Sequence, residues 1–145
     1  MFFGKSLKSL ARDRQGSALI EFALLGPAVI ALMIGVLQIG LGMQALNAMR
    51  SVSAETARYA AVEFQKENSP TNGTIKTQAE SIASSSPFNL DASATTVTIA
   101  DATTQRVSGA REITMTITYT VPTILPFMGW ASPTLTHSRP IFVIN

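Results

Sequence analysis

Residues 22–49 read FALLGPAVIALMIGVLQIGLGMQALNAM, and none of these 28 side chains carries a charge. Glu21 and Arg50 bound the run. Taken as an α-helix at about 1.5 Å per residue, Phe22 to Leu46 measures roughly 37 Å, enough to cross a hydrocarbon core of about 30 Å with some tilt. A buried helix of a soluble protein would need a large apolar shell, and the hundred or so residues that follow are too polar to supply one. A cleaved secretory signal has an apolar stretch of only about 7 to 15 residues and a small-x-small site at its end. Here the run is longer, and Leu46 stands where a small residue is needed. The segment reads as one transmembrane helix.

Working outward to the N-terminus, residues 1–16 hold Lys5, Lys8, Arg12 and Arg14 against Asp13, a net charge of +3. The whole chain is +2, so everything after Gly16 is −1. The basic balance therefore belongs to a short leader and does not indicate a nucleic-acid surface, which needs cations gathered on a folded face. By the positive-inside rule, a basic leader stays cytoplasmic and the C-terminal part is exported, which in a bacterium means the periplasm.

Between leader and span stands QGSALIEFALLGP, residues 15–27, with a glycine at 16 and a carboxylate at Glu21 five residues later. The stretch RDRQGSALIEFALLGPAVIALMIGVLQIG, residues 12–40, resembles the N-terminal region of TadE-like pseudopilins (minor pilins) of the tight-adherence (Tad/Flp) pilus system. There a basic stretch, Gly, a few small or apolar residues, Glu-Phe-Ala and a Pro-containing apolar helix follow in this order. The resemblance implies cleavage by a prepilin peptidase between Gly16 and Ser17. Ser17 would become the first mature residue and Glu21 the fifth. It implies that Glu21, with Phe22 beside it, pairs with the N-terminal amine of a neighbouring subunit during assembly. The implied partners are the prepilin peptidase, the major Flp-type pilin and other pseudopilins, inner-membrane assembly platform proteins and membrane lipid. Ser17 departs from the Phe usual after the cut in type IV pilins and type II secretion pseudopilins, which favours the tight-adherence branch.

The residue types suit these positions. Glycine before a scissile bond offers no side chain to clash and tolerates a strained backbone. A carboxylate in the first turns of a helix sits at the positive end of its dipole. Within the span, Ala28, Ala31, Gly35, Gly42 and Ala45 recur at spacings that line one face, as close approach of a second membrane helix requires. Pro27 removes a backbone donor and predicts a kink or loosening near Phe22 and Ala23.

Toward the C-terminus, RSVSAETARYAAVEFQKE extends the helix to about residue 66, with Val52, Tyr59, Val62 and Phe64 as a partial apolar stripe. ENSPTNG ends it as a turn, Asn72 included. Ile75, Ala79, Ile82 and Ala83 predict a short helix over about 74–85, and SSSPFNLDASAT a loop. In EITMTITYTV, Ile113, Met115, Ile117, Tyr119 and Val121 alternate with threonines, the pattern of a half-buried antiparallel strand over about 111–121. Strands over about 95–100 and 134–144 accompany it, the last confined by Pro140 to an edge or a bulge. The expected fold is α+β and pilin-like: leader 1–16, transmembrane helix 17–48, and an exported domain 49–145 with a short helix and a sheet of about three strands. The apolar loop VPTILPFMGWASP holds the only tryptophan, Trp130, and reads either as a cap over the sheet or as a partner or membrane contact.

Little here could build a catalytic centre. With no cysteine and a single histidine there is no thiolate site and no His-pair metal site, and no cofactor is expected. His137 reads as a surface residue of a threonine-rich strand; Asp91 and Asp101 read as turn caps. The chain is expected to be a non-enzyme, a pseudopilin held in the inner membrane and drawn into a pilus or its tip. Two alternatives remain: a membrane-anchored periplasmic binding module whose helix is only a tether, and a minor pseudopilin of type II secretion.

Overall fold

A computed structural model describes residues 14–66, 68–125, 129 and 131–144, with the backbone alone at 14–17 and 144. Its elements run α1 (Arg14–Gln65), α2 (Asn72–Ser84), β1 (Thr95–Asp101), β2 (Ala110–Thr120) and β3 (Thr134–Ile144). The α+β layout of a long apolar helix, a short helix and a three-stranded antiparallel sheet is the one the sequence predicts. The chain divides into two compact units, Met1–Gln38 and Ile39–Asn145, and α1 contributes to both.

The second unit is built on a meander in the order β1-β2-β3. Register follows from the alternation in β2. Val97 lies opposite Ile117 and Ile99 opposite Met115, while Ile113 faces Ile141 and Ile117 faces His137. A shift by one residue would turn every isoleucine to water, so the pattern admits one pairing. Ile113, Met115 and Ile117 are fully buried, whereas Thr114, Thr116, Thr118 and Thr120 lie half-exposed on the other face. Pro140 sits in β3 opposite Thr114, and β3 is an edge strand, where a missing N–H leaves no ladder bond broken. Gly109, at φ +80°, supplies the left-handed turn that sends the chain into β2.

The C-terminal half of α1 covers the inner face of this sheet through Ala45, Met49, Val52, Ser53, Thr56, Ala60 and Phe64, all buried in the same core. These recur at helical spacing, but the face differs from the predicted stripe: Val62 is exposed and Tyr59 only half-buried. Small and hydroxyl-bearing residues serve as core here because each buried hydroxyl bonds back to its own helix. Ser53 Oγ donates to the Arg50 carbonyl and Thr56 Oγ1 to the Val52 carbonyl, both at 2.8 Å. α2 buries Ile75, Ala79 and Ala83, and Thr71 caps it by accepting from the Thr74 N–H at 3.2 Å.

Polar groups pin the loops. Asp91 is a turn residue as expected, accepting from the Ser93 N–H and hydroxyl. Asp101 is not: at the end of β1 it accepts from Arg111 Nε and Asn72 Nδ2, both at 2.8 Å, tying the strand pair to the start of α2. Arg111 also donates to Asn72 Oδ1 at 3.0 Å, so Asn72 bridges the pair rather than forming a turn. Glu112 is only 3% exposed and is held by Arg106, whose backbone N–H and guanidinium both donate to it.

His137 is the main departure. It is half-buried on the inner face of β3, its Nε2 3.2 Å from Ser53 Oγ of α1. Because the Ser53 hydroxyl proton is directed to the Arg50 carbonyl, Nε2 carries the proton and donates to Oγ. Burial, then Arg50 and Arg139, hold the imidazole below its ordinary value of 6.5. The unfolded chain therefore binds this proton more readily, and the stability that the neutral ring contributes is full above about pH 6.5 and is lost as pH falls below it. Urea unfolding at about pH 7.5 and about pH 5.5 should show a drop that His137→Gln reduces. At more acid pH the loss continues with the same sign, because Arg106 holds Glu112, and Arg111 holds Asp101, below the ordinary carboxylate range.

Candidate functional site

The first unit has no core of its own among the described residues. From Leu19 to Met43 the large apolar side chains of α1 are exposed, Ile34 alone being half-buried, with Phe22 79% exposed and Leu24 73%. The most apolar window has a mean hydropathy of 2.3 and none of it is buried. A helix that is hydrophobic all round and left uncovered by the other described residues is suited to lipid, where its backbone bonds are satisfied internally. This is the one helix among the described residues long and apolar enough to cross a membrane, and it fits a single-pass anchor followed by a C-terminal domain.

Gly16 and Ser17 lie in the first turn of α1, close to its start at Arg14. Glu21 is exposed one turn after Ser17 and is flanked by uncovered Ile20 and Phe22. Pro27 lies inside the helix, which stays α-helical through it, so the carbonyl of Ala23 lacks its usual donor.

The small-residue face divides in two. Ala28 and Ala31 are exposed and Gly35 and Gly42 partly so, and a Cβ placed on either glycine would meet nothing within 4 Å. Among the described residues nothing uses that close approach. Ala45, expected to belong with them, is instead buried in the core beside Met49. The reason is that the sheet domain already covers the helix at this point, so the uncovered apolar stretch ends at Met43.

Trp130 lies outside the described residues, and so do 126–128 of the same loop. Before and after them, Val121 is buried, Ile124 and Leu125 are half-buried, and the Val121 N–H donates to the Pro133 carbonyl at 2.9 Å. Among the described residues no three His, Asp or Glu side chains come together as metal ligands. Sequence reading missed the pairing of His137 with Ser53. The signal for it was the phase of β3, in which Leu135, His137, Arg139, Ile141 and Val143 share one face.

Comparison with known proteins isolates the same helix. No curated protein and no solved structure was found to match the chain. The family profile described as TadE-like protein matches residues 16–58, which begin at Gly16, include Glu21 and the whole uncovered run, and end within α1. Over this N-terminal segment the chain is similar to the TadE-like family.

Proposed function

We infer that the protein is a pseudopilin, or minor pilin, for assembly of a tight-adherence pilus. A prepilin peptidase cuts the Gly16–Ser17 bond on the cytoplasmic side. The trimmed helix remains in the inner membrane with the sheet domain in the periplasm, and pilins and assembly platform proteins recruit it through that helix. The chain acts by contact, not as an enzyme.

The observation that carries this reading is the conjunction at the head of α1. A glycine in the first turn, a carboxylate one turn past the prospective new N-terminus, and an apolar helix bare on all sides coincide with the start of the family match at residue 16. In lipid, a lone carboxylate and a lone ammonium are each costly. An amine of one subunit beside Glu21 of the next relieves both, and only in one register. Removing one member of such a pair costs about 3–5 kcal/mol, roughly a hundredfold or more in association.

The test is copurification of the protein with pilins and platform proteins from the native membrane, wild type against Glu21→Ala. The expected result is normal membrane insertion and trimming with partner recovery reduced at least tenfold. Undiminished recovery and piliation would mean that the helix is only a tether.

A further inference from the structure

Seven Lys and Arg residues follow Ser17. Five have carboxylate partners: Arg58 with Glu55, Lys66 with Glu63, Lys76 with Glu80, Arg106 with Glu112 and Arg111 with Asp101. Arg50 and Arg139 have none among the described residues, and these two converge. Ser53 follows Arg50 by about one turn on α1 and bonds its carbonyl; Ser53 in turn bonds His137; and Arg139 stands two residues on, along the same face of β3. Both guanidiniums are near enough to His137 to act on its charge. Both are exposed, so the cluster opens to the outside.

Two exposed arginines without carboxylate partners among the described residues, both near one imidazole, form a recognition surface for a phosphate-type anion. Position identifies which one. Arg50 is the first charge after 28 uncharged residues, which as helix measure about 42 Å, the thickness of a bilayer including its headgroups. Helical side chains lean toward the N-terminus, so the Arg50 guanidinium reaches back toward the span. We propose that Arg50 and Arg139, with His137 between them, bind the phosphodiester headgroup of an anionic phospholipid in the leaflet on the domain's side of the membrane. The site rests on the reading of α1 as a membrane span. It fixes how deep the helix sits and gives the domain a contact that must be released when the helix leaves the bilayer. The neutral ring suits the resting state, since a third cation beside two unpaired arginines is unfavourable until an anion arrives.

The experiment uses the full chain in vesicles of phosphatidylcholine alone or mixed with phosphatidylglycerol. Lipid retained after mild extraction is read by native mass spectrometry, and the single histidine by its imidazole NMR signal. The wild type should retain phosphatidylglycerol in preference to phosphatidylcholine, and its His137 titration should move to higher pH in the mixed vesicles. Arg50→Gln and Arg139→Gln should each lower retention roughly fivefold and together about twenty-five-fold. Arg58→Gln, which removes a cation already paired with Glu55, should change it little.

Equal retention by wild type and double variant would overturn the proposal and return the two arginines to carboxylates of a protein partner. An equal loss in Arg58→Gln would reduce the effect to net charge and overturn it as well. Inorganic phosphate added to lipid-free micelles should leave the imidazole signal in place; a shift as large as that with phosphatidylglycerol would assign the site to free phosphate instead. Failure of the chain to float with vesicles of either kind would overturn the span itself and the lipid site with it.

Discussion

Replacing Ile117 by aspartate will unfold the sheet domain. Ile117 is fully buried in the central strand, between Val97 on β1 and His137 on β3. Even Ile117→Ala removes enough packed volume to cost about 2–5 kcal/mol, a large part of the roughly 5–15 kcal/mol that holds a domain together. An unpaired carboxylate at the same point adds a desolvation penalty that the domain cannot absorb. The neighbouring substitution Thr118→Asp should be tolerated, because one step along the strand turns the side chain to the other face. Thermal unfolding in detergent, followed by the near-ultraviolet circular dichroism of the domain's packed aromatic residues, Tyr119 among them, should show a cooperative transition in wild type and Thr118→Asp and none in Ile117→Asp. The helix of the first unit should persist in all three, since its hydrogen bonds are internal and the micelle replaces the bilayer.

Substituting Gly16 by valine should stop maturation without disturbing the fold. Gly16 lies at the far end of α1 from the buried core, so the sheet domain should not register the change. A β-branched side chain next to the scissile bond restricts the extended backbone that a protease must bind. A misplacement of about 1 Å at a reacting centre is enough to cost on the order of a hundredfold in rate. Variant protein in cells carrying the prepilin peptidase should accumulate at full length, with unchanged thermal unfolding. Trimming at the wild-type rate would move the cut away from Gly16.

Much of the fold was legible because two periodicities are clean. EITMTITYTV places Ile113, Met115, Ile117 and Tyr119 on one face, and the structure buries all four. The uncharged run from Phe22 was equally plain. What escaped were contacts that join distant positions through polar groups. Asp101 and Arg111 are ten residues apart and Asn72 is farther still, so no local pattern announces their cluster. Glu112 stands in the polar phase of the alternation yet is buried, and nothing in the strand itself says that Arg106 makes its burial tolerable. His137 was misjudged by composition, as a polar residue among threonines, although the phase set by Leu135, Ile141 and Val143 places it inward. The buried face of α1 was hidden for a related reason: Ser53 and Thr56 read as polar, but back-bonding to the helix lets them serve as core. At the head of α1 the residues were legible while their purpose was not, because the role proposed for Glu21 lies in a neighbouring subunit and not in the fold of its own chain.

The central claim is that the helix is a trimmed assembly element and not a plain anchor. It is tested most directly by the intact mass of the membrane-extracted protein from cells with and without a prepilin peptidase. With the peptidase present, the mass should be that of residues 17–145, beginning at Ser17; without it, that of all 145 residues. The full-length mass in both samples would contradict the account.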